Sequence, residues 1–264
     1  MLAPNRTPDS HLAGAAALHF RPESKRFSND LDYFHDSAER VATAFAADRK
    51  VLEDNGIAVS VQVAQPGYIR ALAEAGDQGV KIEWAHDSAW RFMPAVRLAG
   101  AGWALHPVDL AVNKVLALAG RDEPRDFLDV LYAHAELLPF PALLWAAVGK
   151  DPGFTPISLL DLIRRRGRYQ PVDFERLHLA APVEPTALKT QWLAALEGAE
   201  AFARSRPSEE AGCLYYSPQE RRFVLPGPGA PVDCAPHFGR PGGILPRLYA
   251  GDSLADAMGA STPR

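Results

Sequence analysis

The chain has 264 residues, 47 % of them hydrophobic, enough to bury a sizeable core in one large or two modest domains. A net charge of −4 argues against a surface that coats nucleic acid, though it leaves room for a local basic groove. Cys213 and Cys234 are too few for a disulfide scaffold and lack zinc-ligand spacing. No basic-then-apolar leader and no apolar run of membrane-spanning length occurs, so a cytoplasmic protein without a membrane partner is expected.

In chain order, residues 10 to about 100 mix strand-like and helical patterns. Leu31 to Phe34, Ile57 to Val63 and Val80 to Trp84 are predicted strands; Ala38 to Asn55 and Tyr68 to Ala75 are predicted helices. From Pro107 to about Arg204 the pattern turns helical, with segments at Phe127 to Leu138, Pro141 to Val148, Ser158 to Arg166, Phe174 to Leu179 and Pro185 to Arg204. Prolines from Pro207 to Pro246 then break any long helix. Cys213 to Leu225 reads as a hairpin of two aromatic-containing strands, and the remainder as loop and frayed tail.

The chemistry concentrates in Ser28-Asn29-Asp30-Leu31-Asp32-Tyr33-Phe34. In an extended segment Asp30 and Asp32 share a face, roughly 6–7 Å apart at their Cα atoms, while Leu31 points into the core. Such hard oxygen ligands suit Mg²⁺, which takes one or two protein carboxylates plus substrate phosphates. The same residues also make solvated turns. Upstream, Gly14, Ala15 and the small residues after them stand before a predicted helix, where backbone N–H groups could approach a triphosphate, or where an alanine-rich helix simply starts. Lys81-Ile82-Glu83-Trp84 alternates as a neighbouring strand, and Glu83 is either a third carboxylate beside the pair or an outward strand residue.

Further on, Pro107 opens a helix packed through Leu110, Val115, Leu116 and Leu118, and Gly120 is expected to supply its left-handed stop. Asp122 is expected to cap the next helix, on which Asp126 and Asp129 share a face. Lys114 and the pair Arg125-Asp126 could therefore face a common cleft, or form surface salt bridges. Arg164-Arg165-Arg166-Gly167-Arg168-Tyr169 could meet nucleic-acid phosphates, or be a solvated helix end. His11, His19, His35 and His86 lack zinc-type spacing and read as surface or core-edge residues. No Gly-x-Ser-x-Gly elbow or P-loop occurs, which disfavours hydrolases and P-loop NTPases.

Taken together, Gly14 to Leu18, Arg26 to Phe34, Asp109 to Leu118 and Arg125 to Asp129 resemble, in that order, the motifs of the AbiEii/AbiGii toxin family of nucleotidyltransferases, over the first half to two-thirds of the chain. The resemblance implies an α+β fold with a DNA-polymerase-β-like mixed sheet and flanking helices: a nucleotidyltransferase core at 1–103, a helical domain completing the cleft at 104–205, and a Pro/Gly-rich extension with a β-hairpin at 206–264. It also implies the toxin of a toxin–antitoxin or phage-defence system, working on an NTP with an RNA (tRNA) or protein acceptor and opposed by a cognate antitoxin. Asp30 and Asp32 would bind Mg²⁺, Lys114 would contact the triphosphate, and Asp126 would belong to the distal catalytic motif. Arg26 and Ser28 would flank the phosphates, with Gly14, Ala15, Glu83, Arg125 and Asp129 completing the substrate-binding set. Two departures stand out: Gly14-Ala15-Ala16 lacks the hydroxyl of the usual Gly-Gly-Thr or Gly-Ser turn, and the first motif comes almost at the start. They motivate an alternative, a catalytically weak nucleotide-binding or interaction protein that uses the same cleft.

Overall fold

Short extended runs punctuated by turn residues build the first half of the chain. The computed structural model describes residues 1–20, 26–177, 179–227 and 234–246. In chain order the first half comprises β1 (Ser10–Ala13), α1 (Gly14–Leu18), β2 (Asp30–His35), α2 (Ala38–Asp54), β3 (Ala58–Gln65), β4 (Tyr68–Ala75), β5 (Gln78–His86), β6 (Trp90–Arg91), β7 (Val96–Leu98) and β8 (Gly102–Ala104). Seven of these strands form one mixed sheet in the order β3-β4-β5-β2-β1-β8-β7. Pairing is parallel between β2 and β5 and between β1 and β8, and antiparallel elsewhere.

The small residues from Gly14 onward do not precede a helix; they are the helix, entered directly from β1. A second departure from expectation is β4. Tyr68 to Ala75 has the alanine, leucine and glutamate of a helix, yet it is a strand between β3 and β5. Two-residue connections, Pro66-Gly67 and Gly76-Asp77, explain the outcome. Each places a glycine at positive φ (75° and 59°) and folds the chain back on itself, so that ladder pairing on both sides outweighs local helix propensity.

Helix α2, capped by Ser37, covers one face of the sheet through Val41, Ala44 and Leu52. Its buried Asp48 accepts from both the Arg6 guanidinium and the Trp84 indole N–H (2.7 Å), which fastens the N-terminal segment, helix and sheet together.

The second half begins with α3 (Pro107–Arg121), whose Asp109 carboxylate accepts the backbone N–H groups of Phe92 and Met93 at 2.7 and 3.0 Å. Gly120 lies inside this helix; the left-handed residue is Asp122, at φ 47°, one position after the helix. Asp122 does not cap the next helix either, because its carboxylate accepts the Tyr169 hydroxyl at 2.6 Å, and Glu123 holds the cap position. Then follow α4 (Pro124–Glu136), α5 (Phe140–Lys150), α6 (Pro156–Ile163), α7 (Pro171–Phe174) and α8 (Pro185–Ser205). The helix expected over Phe174 to Leu179 instead ends at Phe174, since Pro171 opens it earlier and Leu179 bridges to Arg26 in extended pairing. Apolar nearly all round, α5 is the helix the others surround.

Strands β9 (Leu214–Ser217) and β10 (Arg222–Val224) form the expected hairpin. The region after it is not all loop. β11 (Ala235–His237) adds to the free side of β9, and β12 (Arg240–Pro241) pairs with β6. His237 Nε2–H donates to the Phe92 carbonyl at 2.9 Å, so the extension is fastened back onto the body. The rest of the expected loop and tail, 228–233 and 247–264, lies outside the described residues. Among the described residues no single helix is long and apolar enough to cross a membrane.

Candidate active site

Strand periodicity and strand pairing together assemble the site. Asp30 and Asp32 stand on one face of β2, and the parallel register with β5 sets Lys81 opposite Asp30 and Glu83 opposite Asp32. All four line a cavity of about 360 Å³, together with Ala15, Arg26, Phe27, Ser28, Asn29 and Arg70 from the sheet side and Lys114, Arg121, Arg125, Arg176 and Leu177 from the helical side.

The carboxylates differ in their surroundings. Lys81 Nζ sits 2.9 Å from Asp30 and 3.4 Å from Glu83, Arg125 reaches Asp30 at 3.5 Å, and Arg70 pairs with Glu83 at 2.9 Å. The Asp32 carboxylate has no ion pair or hydrogen bond among the described residues. Burial, and then the neighbouring Glu83 carboxylate, push its pKa above the usual carboxylate value.

Asp126 and Asp129 do not face the cavity. Both are fully buried beneath it, and the cations they hold are the groups that reach the wall. Lys114 Nζ lies 3.1 Å from Asp126 and 2.7 Å from Asp129; Arg121 also pairs with Asp126. Arg26 forks onto Asp129 with two bonds of 2.8 Å, and His19 Nε2 is 2.8 Å from the same carboxylate. Burial alone would raise the pKa of Asp129, but Lys114, His19 and Arg26 outweigh it and hold the group well below its ordinary value. Asp126 is likewise held low, by Arg121 and Lys114 against the effect of burial.

Gly14 is not part of the cavity wall but determines where Asp32 can be. It has φ 63°, and a Cβ there would overlap the Asp32 carboxylate. Ala15 reaches the cavity, whereas Ala16 packs against the sheet core. The Ser28 hydroxyl bridges to the Asp30 backbone, donating to its carbonyl at 3.1 Å.

Several residues here escaped the sequence reading. Lys81 shares the two-residue alternation of Asp30 and could have been found with it. Arg70 was hidden by the helix expected for β4, and Arg176 and His19 carry no sequence signal that separates them from ordinary surface residues. The basic run from Arg164 is largely structural: Arg164 pairs with Glu200 and Asp161, Arg166 with Asp122, and Tyr169 packs on Phe127, while Arg165 and Arg168 are exposed. Nor are His11 and His35 at the surface or core edge, for both are buried within the sheet region.

A divalent cation fits this donor set. Among the described residues no three carboxylates, histidines or cysteines already form a metal cage. Asp32 nevertheless presents unpartnered, poorly solvated oxygens beside Asp30 and Glu83, and an ion that draws its remaining ligands from water and phosphate asks for no more.

A mixed sheet with paired carboxylates at a cleft, closed by a cation-bearing helical layer, is the α+β architecture of a nucleotidyltransferase. The family model described as nucleotidyl transferase AbiEii toxin, type IV toxin–antitoxin system, matches residues 4–211, and the chain belongs to this family. Solved structures similar to it include MenT4, a nucleotidyltransferase toxin from Mycobacterium tuberculosis H37Rv, at 16 % identity and TM-score 0.48, covering 76 % of this chain and 77 % of that one. Another is JHP933 from Helicobacter pylori, at 17 % identity and TM-score 0.41, covering 77 % and 91 %. No curated protein matches the sequence.

Proposed function

We propose that the chain is a Mg²⁺-dependent nucleotidyltransferase that moves the nucleoside monophosphate of an NTP onto an RNA such as tRNA, or onto a protein, as a toxin opposed by a cognate antitoxin. One observation carries this reading: carboxylates from two adjacent strands and a set of braced cations from the helices meet at a single cavity.

Asp30 and Asp32, with Glu83 beside them, would hold the metal. When bound, it supplies a Lewis acid that neutralises phosphate charge and lowers the pKa of an attacking hydroxyl. The chain's own residues do the positioning. In the reaction a bond forms between the acceptor oxygen and the α-phosphorus, the bond from that phosphorus to the leaving oxygen breaks to release pyrophosphate, and the acceptor proton passes to bulk water. Negative charge accumulates on the pyrophosphate, where Lys114 and Arg26 provide fixed positive charge. Asp126 and Asp129 hold these cations in place before substrate arrives, so little ordering remains to be done in the transition state. Arg121 and Arg125 would take the outer phosphate oxygens. In this scheme residues 1–103 present the carboxylates and 104–205 close the cleft.

The test is incubation of the purified protein with MgCl₂, all four NTPs and total RNA, followed by mass spectrometry of RNA and protein for an added nucleoside monophosphate. Asp30→Asn and Asp32→Asn are expected to lower transfer by at least about a hundredfold without changing the melting temperature. Full activity in a folded Asp30→Ala/Asp32→Ala variant would refute the metal role. The second reading, a nucleotide-binding protein without turnover, draws on Lys81, which already lies between Asp30 and Glu83. Tight NTP binding with no product under any condition would favour it.

A further inference from the structure

The cavity wall is charged or polar over most of its extent, and its large apolar side chains are Phe27 and Leu177. The bridge between Arg26 and Leu179 runs antiparallel, pairing the residue before Phe27 with the second residue after Leu177. Phe27 stands three residues before β2 and is 57 % exposed rather than packed in a core. It is the only aromatic side chain that lines the cavity among the described residues.

We propose that Phe27, with Leu177 on the paired segment, is the stacking surface for the nucleobase of the donor nucleotide. The inference rests on the nucleotidyl-transfer reading and adds an orientation to it. A nucleoside triphosphate has one part with an apolar face, the base, and one part with high negative charge, the phosphates. The cavity wall carries matching groups of both kinds, charged side chains over most of it and Phe27 with Leu177 on the rest. Phosphates directed toward Lys114, Arg26 and the β2 carboxylates leave the base for the exposed Phe27, which offers an aromatic face at little entropic cost. Because every base has a π-face, stacking here contributes affinity with little choice among the four nucleotides.

The experiment is calorimetric titration of the full chain, in MgCl₂, with each NTP and with inorganic tripolyphosphate, which lacks the base. For the wild type, NTPs are expected to bind more tightly than tripolyphosphate. Phe27→Ala should weaken every NTP by about tenfold and leave tripolyphosphate unchanged, while Phe27→Trp retains NTP affinity. The exposed side chain can be truncated with the fold intact, which an unshifted melting temperature would confirm. Equal weakening of NTP and tripolyphosphate, or no weakening of either, overturns the base contact. Wild-type protein that binds tripolyphosphate as tightly as NTPs overturns it while sparing the phosphate site. Wild-type protein that binds neither overturns the nucleotidyl-transfer reading and the stacking surface with it.

Discussion

Asp129 accepts from Lys114, Arg26 and His19 with none of its own surface exposed, and Lys114 and Arg26 are themselves buried. Removing one partner from such a cluster leaves the others as uncompensated charge in a poorly solvated interior, which costs more than the cluster contributes while intact. Asp129→Asn is therefore expected to lower stability by about 3–5 kcal/mol in urea denaturation. Adding Lys114→Met should recover part of that loss, because the two changes act on one contact and are not additive. A single variant within about 1 kcal/mol of wild type would mean that water reaches the cluster and screens it. Asp32 presents the opposite case, a half-buried carboxylate with no cation paired to it among the described residues, on the wall of the cavity that Lys114 also lines.

At the level of elements, close backbone approach decides what may stand where. Helix α5 meets the chain entering β9 at Gly149 and Gly212, and a Cβ at Gly149 would overlap the Gly212 carbonyl. Neither backbone can give way without opening the joint between the helical core and the C-terminal hairpin. Gly149→Ala should cost about 1–3 kcal/mol, read as a lowered melting temperature. Gly198, on α8, is the control: a Cβ there meets only Pro141 Cγ at 3.5 Å, ordinary van der Waals contact. Gly198→Ala is expected to be neutral or to stabilise by up to about 1 kcal/mol. If both variants melted alike, the tight approach at Gly149 would be of no energetic consequence. The strand β4 follows a similar logic, since partners on both sides and tight turns at both ends select an extended form that its composition alone disfavours.

Across the whole molecule, buried titratable groups set how stability responds to acid. Burial pushes His11 and His106 down to about 4 and His35 down to about 3, against about 6.5 in an unfolded chain. Below pH 6.5 the unfolded chain takes up protons that the folded chain refuses, so stability falls as pH drops from 6.5, down to about 4 for His11 and His106 and to about 3 for His35. At pH 5 each histidine accounts for on the order of 2 kcal/mol. Asp109 works the other way: burial raises it to about 6, so the folded form holds a proton between pH 6 and 4 and regains part of the loss. The net expectation is a urea midpoint that declines between pH 7.5 and 4.5. The ring nitrogens of His35 have no hydrogen-bond partner among the described residues. His35→Leu should thus reduce the pH dependence without loss of stability at pH 7.5, and an unchanged slope would show that His35 is not among the groups responsible.

Legibility of the fold and site divides along the range of the interactions involved. That Asp30 and Asp32 share a face follows from the two-residue period of an extended backbone, and the helix starts at Pro107 and Pro185 follow from a ring that suits a first turn; both are local and readable from the chain itself. The order of the four motif blocks likewise sufficed to point to the family. Only the tertiary structure decided that Glu83 and Lys81 stand opposite the aspartates, that Tyr68 to Ala75 is a strand, that Asp126 and Asp129 lie under the cavity rather than in its wall, and that Ala235 to Pro241 returns to the body as strands. Each of those outcomes depends on which distant segment a residue meets, and neither periodicity nor propensity carries that information.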